Sequence, residues 1–439
     1  MRRSIPYALS LLLLPEVLVA QAERYPFPQH ATYAAGTLVP NHRSQTQLDT
    51  DVREAYARWQ AAYLATAGTE PDGHPRYRVK LGTGADAATV SEGQGYGMIV
   101  VAHLAGWDMA ARTIFDGLWE FALDHPSTID ARLMDWHVEA DEVPDGSGND
   151  SAFDGDADLA YALLLAEQQW GNGGRFHYGN EARRVLAGLA ASTVGPTSRL
   201  PLLGDWVDPA GSSYNERTVR PSDFLAGHFR TFARFLGTAT WHQVAAAVAQ
   251  TTERLQTEVS PQTGLLPDFT VPLSAGDPAP RPAPPGFLEG PNDGRYYYNA
   301  GRVPWRLATD AVLNGDVVAR TQARRLAAWI RSATGGVPTA IKPGYQLDGT
   351  PIPPGDFFTS FFAAPFAVAA LTDPSGQSFV NAVYDAVRTR QEDYYADSVT
   401  LLCLLVLSHN FWDPSRPPGL FSDGFDSGGA ERWSLSVGG

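Results

Sequence analysis

The chain has 439 residues, a formal charge of −15, one cysteine, and 11 Trp, 17 Tyr and 20 Phe. The negative charge argues against a nucleic-acid or anionic-membrane partner, because both are bound through clustered lysine and arginine. A single cysteine excludes an internal disulfide framework and a cysteine-based metal cluster, and the aromatic content argues against disorder.

The first residues have the pattern of an export signal. Arg2 and Arg3 precede an apolar run over 5–14 that is too short to span a bilayer, and Ala20 and Ala22 form a small-x-small cleavage site. The alternative is a buried N-terminal helix. Cleavage after Ala22 would change the formal charge from −15 to −16, because two arginines and one glutamate leave. We expect a signal peptide over 1–22 and a secreted protein, extracellular or periplasmic, without membrane association after cleavage.

Helical periodicity dominates the rest of the chain. From Val52 to Tyr63 apolar side chains recur at the spacing of one helix face, and Asp156 and Ser222 are the expected starts of two later helices. Strand patterns are few and short. Helices are predicted near 52–63, 91–106, 108–125, 156–171, 179–194, 221–236, 240–258, 303–314, 316–333, 357–371, 376–391 and 396–409.

Twelve helices in six consecutive pairs predict an all-α fold, a closed ring of six helical hairpins with an inner and an outer layer. A helical solenoid is the alternative, but it requires a repeat of fixed period, and the sequence shows none. The segments 156–170 and 399–407 are apolar nearly all round and are expected inside, whereas 241–260 has a polar face and is expected outside. Cys403 is expected to be a core residue without a catalytic role.

Glu92 is the first unusual carboxylate. It lies in the segment 91–98, SEGQGYGM, where three glycines allow a backbone or substrate to approach closely. An acidic residue at a helix start is also favoured by the helix dipole. The residues alone therefore leave both a catalytic and a purely structural interpretation open.

The segment 150–158, DSAFDGDAD, contains more carboxylates than helix capping needs. Calcium binding is not indicated, because an EF-hand loop counted from Asp154 would need Gly and Glu where Leu159 and Leu165 stand. The sequence also lacks a zinc-protease motif, a phosphate-binding loop, a nucleophile elbow and a dinucleotide signature. We therefore predict no metal and no cofactor.

The proline-rich stretch 272–286 is incompatible with a helix and favours an extended path. It could be an interdomain linker, but the helical pattern continues unchanged after it. We therefore expect an excursion within one domain that spans 23–439, and long loops of this kind are often functional.

The segment that follows, 287–306, combines Glu289 and Asp293 with three tyrosines, a tryptophan and three arginines. Sugar rings stack on aromatic side chains, and glycosidic cleavage uses one protonated and one ionised carboxyl group. Trp136 and Trp206 stand in short polar contexts and could extend such an aromatic surface, although a tryptophan in such a context is more often a core residue.

At these residues the sequence resembles glycoside hydrolase family 8, which comprises bacterial cellulases, lichenases, chitosanases and xylanases. The resemblance covers the mature chain to about Trp412, and it implies an (α/α)6 barrel and an inverting mechanism. The segment 91–98 matches the block with the general acid, which implies that role for Glu92. The segment 152–170 matches the family signature, in which Asp154 would hold the distorted sugar; Phe153 departs from the usual Ser or Thr.

The third block, 296–305, departs from the family at Asn299, where many members carry an aspartate base. An amide cannot accept a proton from water, so either activity is lost or the base lies elsewhere. One branch of the family also has asparagine here and takes its base from a glutamate ten residues earlier, which implies Glu289. Asp293 is the reserve candidate. An inverting enzyme requires the two carboxyl groups to lie about 6.5–9.5 Å apart.

The resemblance also implies a substrate-binding set. It consists of Tyr96, Trp136, Trp206, Tyr298, Asn299 and Arg302.

We expect a monomeric endo-β-1,4-glucanase that acts on cellulose-like or mixed-linkage β-glucan, with a β-linked polysaccharide as its partner. A chitosanase with the same site is one alternative. The other is a polysaccharide-binding protein without catalysis, whose base was lost at Asn299.

Overall fold

The computed structural model describes residues 22–144, 148–274 and 276–417; apart from Ala22, the predicted signal peptide lies outside the described residues. The described chain contains twelve α-helices. They are α1 (Gln45–Tyr63), α2 (Ser91–His103), α3 (Ala111–Asp124), α4 (Phe153–Trp170), α5 (Tyr178–Ser192), α6 (Ala226–Leu236), α7 (Thr240–Arg254), α8 (Val303–Asn314), α9 (Val317–Ala333), α10 (Ser360–Ala370), α11 (Gln377–Val387) and α12 (Tyr394–Leu407).

The even-numbered helices form a closed inner ring. Each of them contacts the next, from α2 to α4 and on to α12, and α12 contacts α2 again. The odd-numbered helices pack outside: α3, α5, α7, α9 and α11 each pack against the inner helix that precedes them, and α1 packs against α12. The predicted (α/α)6 barrel, with its inner and outer layers, is confirmed.

Burial follows the apolar pattern of the helices. All residues of α10 are buried, and α12 is buried except at two positions near its start, which places Cys403 in the core as predicted. The outer helix α7 buries one face only, through Trp241, Val244 and Val248. None of the described helices combines the length and apolarity that a bilayer crossing demands.

Two predicted helix starts are wrong for the same reason: a tertiary contact uses the side chain. Helix α4 begins at Phe153, and the Asp156 carboxylate accepts the backbone N–H of Met134 at 2.8 Å instead of capping its own helix. Ser222 lies in a separate 3₁₀ turn, Pro221–Asp223, where its hydroxyl accepts a hydrogen bond from Arg302.

Segments outside the twelve helices form three short antiparallel strand pairs. They are β1 (Leu64–Thr69) with β2 (Pro75–Val79), β3 (Thr89–Val90) with β4 (His137–Val138), and β5 (Thr270–Ser274) with β6 (Asp277–Pro282).

Most of the proline-rich stretch forms the β5–β6 hairpin. Thr270 lies opposite Pro282 and Val271 lies opposite Arg281. A two-stranded ribbon tolerates proline because only one edge of each strand is paired. The hairpin base packs with Phe269 and Leu202 in a small apolar cluster apart from the main core. The hairpin thereby leads the chain directly into the segment 286–299.

Candidate active site

A cavity of about 480 Å³ lies where the amino-terminal ends of inner helices α2, α4 and α12 meet the segment 286–299. Its lining includes Glu92, Asp154, Glu289 and Asn299. These residues come from three distant parts of the chain, and the ring brings them together because the inner helices start at one end of the barrel. The three predicted catalytic carboxylates therefore share one cavity.

Glu92 lies in the first turn of α2 with 19% of its side chain exposed. Its Oε2 lies 3.1 Å from Arg302 Nη1, whereas its buried Oε1 has no hydrogen-bond partner. Burial raises the pKa of the Glu92 carboxyl, although the positive charge of Arg302 acts in the opposite direction. The group is suited to carry a proton into the cavity.

Gly93 is needed because the Tyr394 side chain crosses the start of α2. A Cβ at Gly93 would lie 2.2 Å from the Tyr394 hydroxyl oxygen. That hydroxyl is buried without a hydrogen-bond partner and lies at the cavity beside Glu92. One of the three glycines flanking Glu92 thus lets an aromatic residue of α12 approach the acid.

Asp154 is an ionised carboxylate at the start of α4. Its Oδ2 accepts a hydrogen bond from Arg302 Nη1 at 2.7 Å and lies 3.7 Å from Arg220 Nη1. Burial opposes ionisation, but the two arginines outweigh it and lower the pKa of Asp154 to about 2. Two buried neighbouring carboxyl groups, Glu92 and Asp154, therefore have pKa values moved in opposite directions.

Arg302 lies beneath the cavity and contacts several of the residues around it. Its Nη2 donates to Ser222 Oγ at 2.8 Å and to Asn299 Oδ1 at 3.1 Å, and its Nη1 reaches Asp154 and Glu92. The guanidinium is buried and is not part of the cavity lining. Arg302 therefore orients the residues around the cavity instead of facing it.

Tyr96, which the resemblance places in the substrate-binding set, has no exposed surface. Its hydroxyl lies 3.5 Å from Arg302 Nη1, and its ring packs edge-on against Trp305. Tyr298 is also absent from the cavity lining and stacks on Phe361. Tyr96 is therefore buried behind the cavity, whereas Tyr298 is partly exposed outside its lining.

Glu289 is the exposed carboxylate of the cavity, with half of its side chain accessible. Asn299 Nδ2 donates to Glu289 Oε2 at 2.7 Å, and Arg220 Nη2 donates to Glu289 Oε1 at 3.3 Å. Each carboxylate oxygen therefore has one donor.

Asp293 points away from the cavity and holds the loop that carries Glu289. Its Oδ2 accepts the backbone N–H groups of Leu288 and Glu289, and its Oδ1 accepts that of Gly290. The side chain is buried and does not line the cavity. Its oxygens are occupied by the backbone, so the loop geometry depends on Asp293.

Trp136 and Trp206 line the cavity. Trp136 is 38% exposed, and its backbone joins the α2 start through a hydrogen bond from Ser91 N to its carbonyl oxygen. Trp206 packs edge-on against Tyr214. Two indole rings are thus available beside the carboxylates.

A second groove, of about 780 Å³, lies between the loop 209–218 and the β5–β6 hairpin. Its one acidic lining residue is Glu216, whose carboxylate accepts the backbone N–H groups of Thr197 and Ser198. The larger groove therefore lacks the paired carboxylates of the smaller cavity, and we assign the chemistry to the smaller one.

A known protein family matches most of the described chain. The model of the family "Glycosyl hydrolases family 8" matches residues 25–409. The chain belongs to glycosyl hydrolase family 8. It is therefore a glycoside hydrolase, and the resemblance seen in the sequence is confirmed at the level of the family.

Two relatives in this family are 39% identical to the chain. A beta-glucanase of Niallia circulans aligns over 92% of this chain and 95% of its own length. An endoglucanase of Bacillus sp. (strain KSM-330) aligns over 91% of this chain and 84% of its own length.

Solved structures share the fold of the family. A beta-1,3-1,4-glucanase from Paenibacillus sp. X4 superposes with a TM-score of 0.84 at 38% identity, covering 89% of this chain and all of that one. A family 8 xylanase from Teredinibacter turnerae superposes with a TM-score of 0.69 at 21% identity, covering 85% of this chain and 96% of that one, which speaks for the fold alone.

Several residues of this family 8 cavity were not among the site residues predicted from the sequence. Arg220 precedes the 3₁₀ turn in a short polar run, RPSD, that has no periodic signal. Asp150 lines the cavity, and burial together with the nearby Asp205 and Asp135 raises its pKa to about 6. Tyr394 and Tyr395 begin α12 and line the cavity. The aromatic pair at the start of a helix is the sequence feature that could have indicated them.

Proposed function

We propose that the protein is an inverting endo-β-1,4-glucanase that hydrolyses cellulose-like or mixed-linkage β-glucan. The observation that carries the proposal is the pairing of Glu92 and Glu289 in one cavity. Glu92 is largely buried with a raised pKa, and Glu289 is half-exposed with both oxygens hydrogen-bonded. The named activities of the 39% identical relatives, a beta-glucanase and an endoglucanase, support β-glucan as the substrate class.

Glu92 is proposed as the general acid. Its raised pKa keeps a proton available, and that proton goes to the glycosidic oxygen as the bond to the anomeric carbon breaks. Asp154 stays ionised beside Arg302 and Arg220, so its negative charge can stabilise the positive charge that develops on the sugar ring.

Glu289 is proposed as the general base. It removes a proton from the water that attacks the anomeric carbon on the opposite face, which inverts the configuration there. The amide of Asn299 donates to Glu289 and therefore does not serve as the base itself. This assignment places the protein in the branch of the family with asparagine at this position. The occupied oxygens of Asp293 favour Glu289 over that residue.

The charges around the cavity are consistent with these roles. Burial and the neighbouring charge of Asp154 raise the pKa of Asp223 to about 8, so this carboxyl is neutral at pH 7. Around this neutral carboxyl, the positive charges of Arg220 and Arg302 lie next to the carboxyl groups of Asp154, Glu289 and Glu92.

Chitosan hydrolysis is the second candidate. Asp150 lines the cavity near Asp205 and Asp135, and a carboxylate there would attract the ammonium group of a glucosamine unit. Initial rates on carboxymethyl-cellulose, lichenan and chitosan, measured side by side, separate the two candidates. Our proposal predicts turnover of the first two, and activity on chitosan alone would overturn it. Ligand binding without turnover of any of the three would favour a non-catalytic binding protein.

We also propose that the enzyme is exported and works as a monomer. The support is the leader-like pattern of residues 1–22, with its arginine pair, apolar run and small-x-small site. Mass spectrometry of the mature N-terminus after expression in a secreting bacterium tests the cleavage site, and light scattering tests the oligomeric state.

A further inference from the structure

We propose that Asn299 and Arg220 form a clamp that positions the Glu289 carboxylate, which makes Asn299 a positioning residue for the base. This inference rests on the proposed function, since it takes Glu289 as the base. It explains why asparagine can stand where many relatives carry an aspartate.

The first observation is the contrast between the exposure and the fixation of Glu289. Half of the side chain is accessible, so a glutamate with three rotatable bonds would otherwise sample several rotamers. Instead, Asn299 holds one oxygen and Arg220 holds the other. Two donors from different segments define the plane of the carboxylate as well as its position.

The second observation is that the orientation of the Asn299 amide is determined. Its Oδ1 accepts a hydrogen bond from Arg302 Nη2 at 3.1 Å, and an arginine can only donate. The NH₂ end must therefore face Glu289, where it donates at 2.7 Å. An ionised aspartate at 299 could satisfy Arg302 but could not donate to Glu289, and it would place two carboxylates in contact.

The third observation is the anchoring of Arg220. Its Nη1 lies 3.7 Å from Asp154 Oδ2 and its Nη2 donates to Glu289, while the guanidinium lies over the Phe269 ring at 5.3 Å. The neighbouring Asp223, whose pKa burial raises to about 8, also interacts electrostatically with Arg220. The clamp thus connects the proposed base to the same carboxylate that faces the sugar ring.

The charged and titratable groups around Glu289 come from several elements. Arg220 and Asp223 lie at the 3₁₀ turn, Asp154 begins α4, Asp268 precedes β5, and Asp293 closes the loop. Loss of the Asn299 donor removes stabilisation of the ionised carboxylate. The acid limb of the pH profile should then move to higher pH.

The test compares Asn299→Ala, Asn299→Asp and Arg220→Lys with the wild type on soluble mixed-linkage glucan. We expect kcat to fall by about 10-fold to 10²-fold in Asn299→Ala, as for a misplaced catalytic group, with a smaller change in KM. We expect the acid limb of the kcat/KM profile to move up in Asn299→Ala and further in Asn299→Asp, which adds a negative charge. Arg220→Lys keeps the positive charge but loses the two guanidinium nitrogens that reach Glu289 and Asp154 separately. It should lower kcat without unfolding the protein.

The matched control is Asn381→Asp. Asn381 is a surface amide that donates to Asn41, far from Glu289 in sequence and on an outer helix, so the same chemical change there should leave the profile unaltered. Wild-type kcat and pH profile in Asn299→Ala would overturn the clamp.

A second experiment separates positioning from a merely structural role. In a Glu289→Ala background, azide can attack the anomeric carbon without a base, while the proton from Glu92 still goes to the leaving oxygen. Because Asn299 acts through Glu289, adding Asn299→Ala should not change the azide-dependent rate. A further loss in that background would contradict the clamp, whereas full activity of Glu289→Gln would instead contradict the proposed function.

Discussion

At the residue scale, the proposed mechanism requires the neighbouring carboxyl groups of Glu92 and Asp154 to have different protonation states. Glu92 and Asp154 both contact Arg302, yet the pKa of Glu92 is raised and that of Asp154 is lowered. Asp154 has a second arginine, Arg220, whereas one oxygen of Glu92 has no partner at all. Burial therefore dominates the pKa of Glu92, whereas the nearby arginines dominate that of Asp154.

Replacement of Glu92 by Gln should reduce kcat on lichenan by about 10²–10⁴-fold, because general acid catalysis contributes that much. The same variant should lose much less on a dinitrophenyl β-cellotrioside, whose leaving group departs without protonation. Steady-state kinetics on both substrates measure the difference.

The control for this comparison is Glu258→Gln, a surface glutamate paired with Arg254, which should behave as the wild type. Equal losses of Glu92→Gln on both substrates would argue against the acid role.

Asp150→Asn should stabilise the protein at pH 8. The folded-state pKa of Asp150, about 6, is raised above its unfolded value, so the stability it contributes falls as the pH rises from about 3.9 towards 6 and stays low above that. The amide imitates the neutral form. Thermal unfolding should show a higher Tm for the variant at pH 8 and no difference near pH 3.5.

Asp86→Asn serves as the control for the change in net charge, since Asp86 is exposed. An equal rise in Tm for both variants at pH 8 would attribute the effect to net charge instead of to the cavity.

At the element scale, the close contact of α2 and α4 places the acid beside Asp154. A Cβ on Gly95 would lie 2.8 Å from Asp158 Cβ and 3.1 Å from the carbonyl oxygen of Gly155. A Cβ on Gly155 would lie 2.6 Å from the carbonyl carbon of Ser91. Gly95 and Gly155 thus allow the two helices to pack closely. From the sequence alone, these glycines could equally have served to let a substrate approach.

Gly95→Ala should therefore destabilise the fold by about 1–3 kcal/mol, the usual cost of overpacking. Since α2 must shift, kcat should fall as well. Urea unfolding and kcat on lichenan measure the two effects.

Gly173→Ala is the matched control, because a Cβ there meets nothing within 4 Å. Unchanged stability and kcat in Gly95→Ala would show that α2 and α4 are not tightly apposed.

At the scale of the whole molecule, both ends of the described chain are joined at the face opposite the cavity. Asn410 follows α12 and accepts the backbone N–H of Gln29, and its amide donates to Asp49 of α1. His103, at the end of α2, contacts Trp412 through a hydrogen bond and its ring. These contacts between the two ends of the described chain therefore do not involve residues that line the cavity.

Asn410→Ala should lower stability by about 1–3 kcal/mol, because buried polar groups lose their partners. kcat at temperatures well below the transition should stay at the wild-type value. Thermal unfolding and kinetics at 25 °C (~298 K) test both expectations.

Asn381→Ala, which changes a partly exposed asparagine on the outer helix α11, is the control. A fall in kcat for Asn410→Ala that parallels the fall in stability would contradict the independence of the two ends.

The twelve helices were predictable because each of them buries at least one face against a neighbour. The apolar side chains of that face recur at helical spacing, and this pattern can be read from the sequence of each helix alone. The inner position of α4 and α12 followed from their apolar surface on all sides. The start of α4 was not predictable, since Asp156 bonds Met134 of a distant loop. Contacts between distant segments leave no periodic signal.

The candidate site was likewise predictable only in part from the sequence. Glu92, Asp154 and Glu289 were found through motifs that resemble a family, and the structure places all three around one cavity. Arg220 was missed because its importance arises from Asp154 and Glu289, which lie far from it in sequence. The hydrogen bond of Asn299 to Glu289 likewise depends on a loop geometry that Asp293 determines.

The measurement that tests the central claim most directly is NMR of the anomeric configuration of the first products from a defined β-glucan oligosaccharide. Water activated by Glu289 and attacking opposite the bond that Glu92 protonates predicts that the α-anomer appears first and then mutarotates. Initial appearance of the β-anomer would show retention of configuration and would contradict the assignment of Glu92 and Glu289 as acid and base.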